Sequence, residues 1–369
     1  MRLINIVAIA CLTALASSCK TEQKEQKNPA ETQESIAESI PREPDTALIS
    51  HLFTADPSAH VFGDRLYVYP SHDFEAGIPA DDLGSHFGMK DYHVFSMDRV
   101  GGPVTDHGKV LDVADVPWAE RQMWAPDAAE KDGRYYFYFP AKDPEGVFRI
   151  GVATADSPEG PFVAEPEPIQ GAYSIDPAVF RDSDDAYYLY FGGIWGGQLQ
   201  RWESGAYVAE DSYPADSAAA ISPKMARLSE DMLGLAEPVR DVQILDENGT
   251  PIRGGDHDRW FFEAAWVHRY QDTYYLSYST GDTHNIAYAT ADSPYGPFTY
   301  RGVILKPVLG WTNHHSIVEY QGNWYLFYHD SSLSGGQTHL RSVKVTPLTH
   351  REDGSIRTLD KLVVVEEAE

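Results

Sequence analysis

The sequence has few features that would cross-link a fold covalently or attract it to a charged polymer. Only two of its 369 residues are cysteines. One of them, Cys11, falls in an N-terminal segment that we expect to be removed, so no disulfide is expected in the mature domain. Lys and Arg number 29 against 56 Asp and Glu, which gives a formal charge of −27. This balance disfavours nucleic acid and anionic lipid surfaces as partners and favours a neutral substrate.

The N-terminal apolar run, residues 4–16, is too short to span a bilayer as a mature helix. It follows Arg2 and precedes small residues, an order typical of a secretory signal. Ala-Ser-Ser-Cys at 16–19 resembles the lipobox of bacterial lipoproteins, with Ala16 where a Leu is usual. That resemblance implies a lipoprotein signal peptide at 1–18 and lipidation of Cys19, whereas a plain signal peptide is the alternative.

Residues 19–45 are rich in Glu, Gln, Lys, Ala and Ser and have almost nothing to bury. This composition predicts a disordered tether. We therefore expect an exported protein attached to the outer membrane, on its periplasmic or cell-surface face, through a lipid anchor alone.

Past residue 46 there is no convincing amphipathic helix period, and short aromatic strands recur instead. Each follows a turn signal, and they lie at residues 66–69, 135–139, 187–191, 274–278 and 324–328. Two of them lead into near copies of one phrase, at 153–162 and 289–298. Five repeated hairpins predict an all-β, five-bladed β-propeller over residues 46–369. A two-sheet sandwich explains neither the count nor the copied phrase.

The repeat also predicts which residues occupy equivalent places around the central axis. If the strand before each turn is the innermost of its blade, one fixed offset from the aromatic strands picks out one residue per blade. These residues are Asp56, Trp124, Asp176, Glu263 and His314. Four ionisable groups at five equivalent places indicate a functional site at the mouth of the channel.

Glu263 lies in an apolar run that includes Trp260, Phe262 and Trp266. Burial among such neighbours raises a carboxyl pKa, which suits a general acid, although a structural carboxylate paired with a buried Arg is the alternative. Asp56 has a more polar setting and is expected to stay ionised as a general base. The charge of Asp176 is expected to keep Glu263 protonated and to orient it.

Four motifs in chain order resemble glycoside hydrolase family 43. They are Asp-Pro-Ser at 56–58, Trp-Ala-Pro-Asp at 124–127, Ser-Ile-Asp-Pro at 174–177 and Glu-Ala-Ala at 263–265. The resemblance implies a five-bladed propeller and an inverting hydrolase, with Asp56 as base, Asp176 as pKa modulator and Glu263 as acid. Many members carry Gly and then Pro after the Glu, where this chain has Ala264 and Ala265.

The resemblance also suggests accessory roles. Members often have a His at the place of His314 beside a calcium ion, whereas a neutral His bonded to channel water is the alternative. Arg341 resembles an arginine that reaches the substrate or the carboxylates, and a surface arginine is the alternative. Trp124 offers a flat face to a sugar ring, although ordinary core packing explains a Trp equally well. No other cofactor is expected.

Several histidines, among them His72, His86, His93 and His107, fall within or near a polar insertion of the first blade at about residues 71–93. Most are expected to be solvated loop residues, and their spacings match no familiar zinc pattern.

The function predicted from the sequence is release of terminal α-L-arabinofuranosyl or β-D-xylosyl residues from plant polysaccharide or oligosaccharides, with inversion. Hydrolysis of a galactofuranoside or a galactan is an open alternative, since loop shape selects the sugar. A non-catalytic glycan-binding lipoprotein is the alternative of a different class.

Overall fold

The structure is a computed structural model that describes residues 46–361. The predicted signal peptide, Cys19 and the tether lie outside the described residues. Within them, five β-sheets form the blades of a propeller, which confirms the predicted fold class. The helical segments of this range are three short 3-10 turns, Val113–Asp115, Trp195–Gly197 and Leu199–Arg201. No helix among the described residues is long and apolar enough to cross a membrane.

The blades follow one another along the chain. Blade 1 consists of β1 (Phe53–Phe62), β2 (Arg65–Asp73), β3 (Asp91–Met97) and β4 (Thr105–Asp112). Blade 2 consists of β5 (Asp127–Lys131), β6 (Arg134–Lys142), β7 (Phe148–Ala155) and β8 (Val163–Ala164). Blade 3 consists of β9 (Ala178–Arg181), β10 (Tyr187–Phe191), β11 (Lys224–Arg227) and β12 (Arg240–Asp241).

The last two blades depart from four strands. In blade 4, β13 (Ile244–Leu245) pairs in parallel with β17 (Phe298–Leu305), outside β14 (Phe261–Tyr270), β15 (Thr273–Thr280) and β16 (Ile286–Ala291). Blade 5 has β18 (His315–Tyr320), β19 (Asn323–Asp330) and β20 (Ser342–Pro347). The ring is closed where the Leu48 N–H donates to the Val343 carbonyl at 2.7 Å, beside β1 of the first blade.

Each predicted aromatic strand is the second strand of its blade, paired with the inner strand through a tight turn. In blade 2 the turn residues Asp132 and Gly133 both have positive φ, at 54° and 77°. Two successive positive φ values match the right-handed twist of a two-residue hairpin, which is why Asp-Gly occurs there.

Apolar side chains of neighbouring blades pack face to face. Among the described residues, five buried clusters form, one at each boundary between blades. The boundary between blades 5 and 1, for example, buries Phe327 and Val343 against Leu66 and Val68. The aromatic strands are therefore mainly core, and burial between blades holds the inner strands around the channel.

The structure corrects the expectation for the first-blade histidines. His72 lies on β2, His93 on β3 and His107 on β4, all partly buried, and the β2–β3 loop spans only residues 74–90. These strands were not recognised from the sequence, because one face of this blade carries polar side chains and the segment therefore resembled a polar loop.

Candidate active site

All five positions selected by the repeat line one cleft. Arg341, named from the sequence as a candidate substrate-binding residue, lines the same cleft. The register inferred from the hairpins is therefore correct: side chains far apart in the chain meet at one end of the channel.

Asp56 is directed into the cleft by a bulge in β1. The pairing of β1 with β2 slips between Ala55 and Ser58, and Asp56 has a left-handed φ of 49°. Its N–H donates to Nδ1 of His329 at 3.0 Å, while Nε2 of His329 lies 3.2 Å from the Thr312 carbonyl oxygen. A neutral imidazole with its proton on Nε2 satisfies both contacts. His329 thus supports the bulge that aims the carboxylate.

The carboxylate of Asp56 is held in its ionised form. Burial opposes ionisation, but Arg341 Nη1, 3.0 Å from Oδ1, and the Ser71 hydroxyl, which donates to Oδ2 at 2.6 Å, stabilise the charge. The pKa of Asp56 falls to about 2, below its ordinary value of 3.8. His314 and His329 also contribute, but burial lowers their own pKa values to about 4 and about 3, so near neutral pH the guanidinium supplies the positive charge.

Arg341 is itself fixed by a buried partner. Its Nε and Nη2 donate to the two carboxylate oxygens of Asp73, each at 2.8 Å, and its guanidinium lies over the Phe87 ring at 4.8 Å. Arg341 is 3% exposed, so the surface alternative is wrong. A bidentate pair of this kind holds the charge in a defined place, and Asp73 therefore positions the group that keeps Asp56 ionised.

Asp176 and Glu263 lie on the other side of the cleft, where backbone geometry again aims the side chains. Asp176 precedes β9 with φ of 56°, and Glu263 lies in a bulge of β14 next to Ala264, whose φ is 62°. The Ala264 N–H donates to Asp176 Oδ2 at 2.9 Å, so the bulge that carries Glu263 also binds Asp176. The Gly that many members carry after the Glu suits this left-handed position, which Ala264 occupies with strain.

Both carboxyl groups favour protonation. Burial raises the pKa of Glu263 well above its ordinary range, and the charges of Asp176 and Asp56 raise it further. Burial and the charge of Asp56 likewise raise the pKa of Asp176, against the hydrogen bond from Ala264. Because Asp176 has that N–H donor and Glu263 has no hydrogen-bond partner within residues 46–361, a proton shared by the pair resides on Glu263.

His314 lies between the two sides of the cleft. Its Nδ1 is 3.7 Å from Asp56 Oδ1 and 3.6 Å from Asp176 Oδ2. Its low pKa makes it a neutral group near pH 7. The next residue, His315, points away and contacts the Ser277 hydroxyl at 2.6 Å, as strand alternation requires.

Aromatic side chains form much of the wall. Trp124 donates its Nε1–H to the Phe87 carbonyl at 2.8 Å, packs on Phe148 at 4.7 Å between ring centroids and keeps part of its ring exposed in the cleft. It is therefore both core-anchored and available to a ligand. Phe262 and Trp311 add two further apolar faces that the sequence analysis did not assign.

Asp127 is a further residue that the sequence analysis quoted within a motif but gave no role. Fully buried, it accepts hydrogen bonds from Ser58 and His60 of β1 and from the Val179 N–H of β9. It thus joins the inner strands of blades 1, 2 and 3 directly behind Asp56 and Asp176. The sequence signal that could have indicated this role is the place of Asp127 in the Trp-Ala-Pro-Asp motif.

The sequence of this chain is similar to those of known glycoside hydrolases. Residues 47–356 match the profile of glycosyl hydrolases family 43. Xylosidase/arabinosidase 43A of Humicola insolens is 59% identical over 320 residues, covering 84% of this chain and 98% of that protein. A xylosidase/arabinosidase of Bacteroides ovatus is 57% identical over 309 residues, covering 84% and 95%.

Solved structures of other proteins are similar to this chain in both sequence and fold. CoXyl43, a β-xylosidase/α-arabinofuranosidase from a compost microbial metagenome in complex with xylotriose in a calcium-free form, is 65% identical with a TM-score of 0.85, covering 86% of this chain and 98% of that one. A Xanthomonas citri enzyme complexed with xylotriose is 62% identical with a TM-score of 0.82, covering 86% and 94%.

Proposed function

The chain belongs to glycoside hydrolase family 43, and we propose that it releases terminal β-D-xylosyl or α-L-arabinofuranosyl residues from plant oligosaccharides or polysaccharides, with inversion. The observation that carries this proposal is the opposite pKa shift of two carboxyl groups in one cleft. The pKa of Asp56 falls to about 2, whereas burial and the charge of Asp176 raise the pKa of Glu263 well above its ordinary range. The names of the relatives and the xylotriose complexes support pentose-containing substrates.

In the proposed reaction, Asp56 accepts a proton from a water molecule as the water oxygen attacks the anomeric carbon. Glu263 donates its proton to the glycosidic oxygen as the bond from that oxygen to the anomeric carbon breaks. Inversion requires the two carboxyl groups to stand about 6.5–9.5 Å apart, which leaves room for the water. The charge of Asp176 raises the pKa of Glu263, and its hydrogen bond from the Ala264 N–H fixes the bulge that carries Glu263.

The wall of the cleft suits a single sugar ring. Loop residues of blades 1, 3 and 5 line it, and Trp124, Phe262 and Trp311 present apolar faces. Apolar faces of this kind pack against the C–H face of a sugar, while the buried carboxylates lie where the anomeric centre reacts. This arrangement supports removal of a terminal residue.

Time-resolved proton NMR tests mechanism and sugar together. Purified full-length protein is incubated with xylotriose, 4-nitrophenyl β-D-xylopyranoside or 4-nitrophenyl α-L-arabinofuranoside, and the anomeric signals are followed. We expect the inverted anomer to appear first from at least one substrate. First appearance of the retained anomer, or binding of xylotriose without turnover of any substrate, would refute the proposal; the latter is the outcome that a glycan-binding protein gives.

We also propose a calcium ion in the channel beside His314. The imidazole is neutral, so the lone pair of its unprotonated nitrogen is available, and it lies under the electrostatic influence of Asp56 and Asp127. Calcium prefers oxygen ligands, and both oxygens of Asp127 are already hydrogen-bonded, so the residues fit an ion whose other ligands are water. Such an ion would offset the negative charge of the carboxylates around it.

Export and lipid anchoring are a separate proposal that rests on the N-terminal sequence. Cleavage before Cys19 and acylation of that cysteine would leave the domain on a tether at the outer membrane. Metabolic labelling with an alkynyl fatty acid, followed by membrane fractionation, tests it. We expect a labelled, membrane-bound protein and an unlabelled Cys19→Ala variant, and a soluble, unlabelled wild type would contradict the anchor.

A further inference from the structure

A second cluster of ligand-type side chains lies on blade 1, outside the cleft. His72 is on β2, while Asp91 and His93 are on β3. Because Ser71 pairs with Tyr92, His72 lies opposite Asp91, and His93 shares the face of Asp91 by the two-residue period of a strand. One candidate ligand atom from each of these three residues lies within 4.8 Å of the other two.

The polar atoms of this cluster are only partly satisfied by one another. His72 Nδ1 is 2.5 Å from Asp91 Oδ1, whereas His93 Nδ1 is buried and has no hydrogen-bond partner in residues 46–361. The two imidazole rings meet edge to face with centroids 4.9 Å apart. A buried nitrogen without a partner costs free energy unless something else occupies its lone pair.

A second carboxylate borders the unpartnered nitrogen. Asp106 Oδ1 is 3.6 Å from His93 Nδ1, and Asp106 Oδ2 contacts His51 Nε2 at 2.7 Å. Two carboxylates balance the charge of a divalent cation, and the nearby Lys109 is paired with Asp112 at 2.6 Å. The side chains of His72 and His93 are 17% and 16% exposed, so the cluster lies close to the protein surface.

We propose that His72, Asp91 and His93, with Asp106 nearest to the fourth position, bind one zinc ion or a similar divalent transition-metal ion. Two imidazoles and two carboxylates match the ligand types of zinc and are a poorer match for calcium, which prefers oxygen ligands alone. Tetrahedral zinc ligands lie about 3.3 Å apart, so small side-chain rotations close the present spacing.

The site lies behind the catalytic cleft and is separate from it. On the opposite face of the same two strands, Ser71 donates to Asp56 at 2.6 Å, and the Tyr92 hydroxyl donates to the Trp124 carbonyl at 2.6 Å. A metal ion would therefore clamp β2 to β3 at the point from which both contacts reach the cleft.

The test measures metal binding directly, without reliance on activity. Metal-free full-length protein is titrated with zinc chloride by calorimetry, and cobalt chloride is added separately to record the visible absorption of tetrahedral Co²⁺. We expect one saturable zinc site of micromolar or tighter affinity, a tetrahedral cobalt spectrum and a higher melting temperature with zinc.

Variants locate the site. His72→Ala, His93→Ala and the more conservative Asp91→Asn should each weaken zinc binding at least tenfold, while His314→Ala, in the channel, should retain it. Circular dichroism identifies any variant that fails to fold, and Asp91→Asn, which changes the charge but hardly the shape, keeps the test decisive. Absence of saturable zinc binding, or zinc binding lost in His314→Ala and kept in His93→Ala, would overturn the proposal.

Discussion

The two sides of the cleft shift the pKa of a buried carboxyl group in opposite directions. On one side, Asp56 receives hydrogen bonds from Arg341 and Ser71, and its pKa falls to about 2. On the other side, Glu263 lies between Phe262 and Ala264 with no hydrogen-bond partner in the described part of the chain, and its pKa rises. Both carboxyls are buried, so burial alone does not decide the charge.

The difference lies in what accompanies burial. A guanidinium and a hydroxyl replace the water that Asp56 loses, whereas Glu263 is buried without such donors and faces the negative charge of Asp176. Two groups of similar intrinsic pKa thereby acquire pKa values that are shifted in opposite directions. Substitutions that remove one of the two carboxyl groups, or that bring their pKa values closer together, test this difference.

Replacing the proposed base should have the largest effect. If Asp56 accepts the proton of water, Asp56→Asn should lower kcat about 10³–10⁴-fold. The loss should be similar for xylotriose and for 4-nitrophenyl β-D-xylopyranoside, since both need an activated water. Steady-state kinetics measures it, with the exposed Asp272→Asn as a matched control. A variant that retains more than a tenth of wild-type kcat would exclude Asp56 as base.

Replacing the proposed acid should affect the two substrates differently. If Glu263 is the proton donor, Glu263→Gln should lower kcat about 10²–10⁴-fold on xylotriose. The loss should be far smaller on the 4-nitrophenyl glycoside, because its leaving group departs without protonation. The exposed Glu319→Gln is the control. Equal losses on both substrates would mean that Glu263 is not the acid.

Arg341→Lys should reduce the difference between the pKa values of Asp56 and Glu263. A lysine cannot bond Asp73 bidentately and reach Asp56 at once, so the pKa of Asp56 should rise from about 2. The folded-state pKa is below the ordinary 3.8, so its stabilising effect is complete above about pH 4 and is lost as the pH falls towards 2.

In the Arg341→Lys variant that loss should be smaller and should be complete at a higher pH, because only the folded-state pKa changes. The acidic limb of the kcat/KM profile should move to a higher pH. We expect a loss of about 1–3 kcal/mol in the free energy of unfolding at pH 7. Urea unfolding at several pH values and a pH–rate profile measure the two effects. An unchanged acidic limb would show that Arg341 does not set the ionisation of Asp56.

The smallest effect is expected from Ala264→Gly, beside the acid. Ala264 has φ of 62°, which costs an alanine about 1–2 kcal/mol, whereas glycine adopts it freely at an unfolded-state cost of about 0.5–1 kcal/mol. We expect the free energy of unfolding to rise by up to about 1 kcal/mol, with kcat within about twofold of wild type. Urea unfolding decides it, and a clear loss of stability would show that the bulge is not strained by Ala264.

The hairpin repeat made much of the cleft predictable. Strand periodicity and turn residues are local properties, and a propeller places equivalent residues of its blades around one axis, so Asp56, Asp176 and Glu263 were brought together by counting. Membership of family 43, inferred from four short motifs, is confirmed. His72 and His93 were misplaced in a loop because the sequence analysis took their polar neighbours to indicate an insertion.

The partners of the carboxylates were not predictable in the same way. Asp73 and Arg341 are 268 residues apart, and Asp56 and His329 are 273 apart. No local pattern relates such residues, because they meet only when the last blade closes against the first.

The sequence by itself determined the blades and which carboxyl groups meet in the cleft, since alternation, turns and repeat spacing are properties of consecutive residues. Only the tertiary structure showed which distant groups set their pKa values. Arg341 beside Asp56 and Asp176 beside Glu263 come from other blades, so no run of consecutive residues relates them.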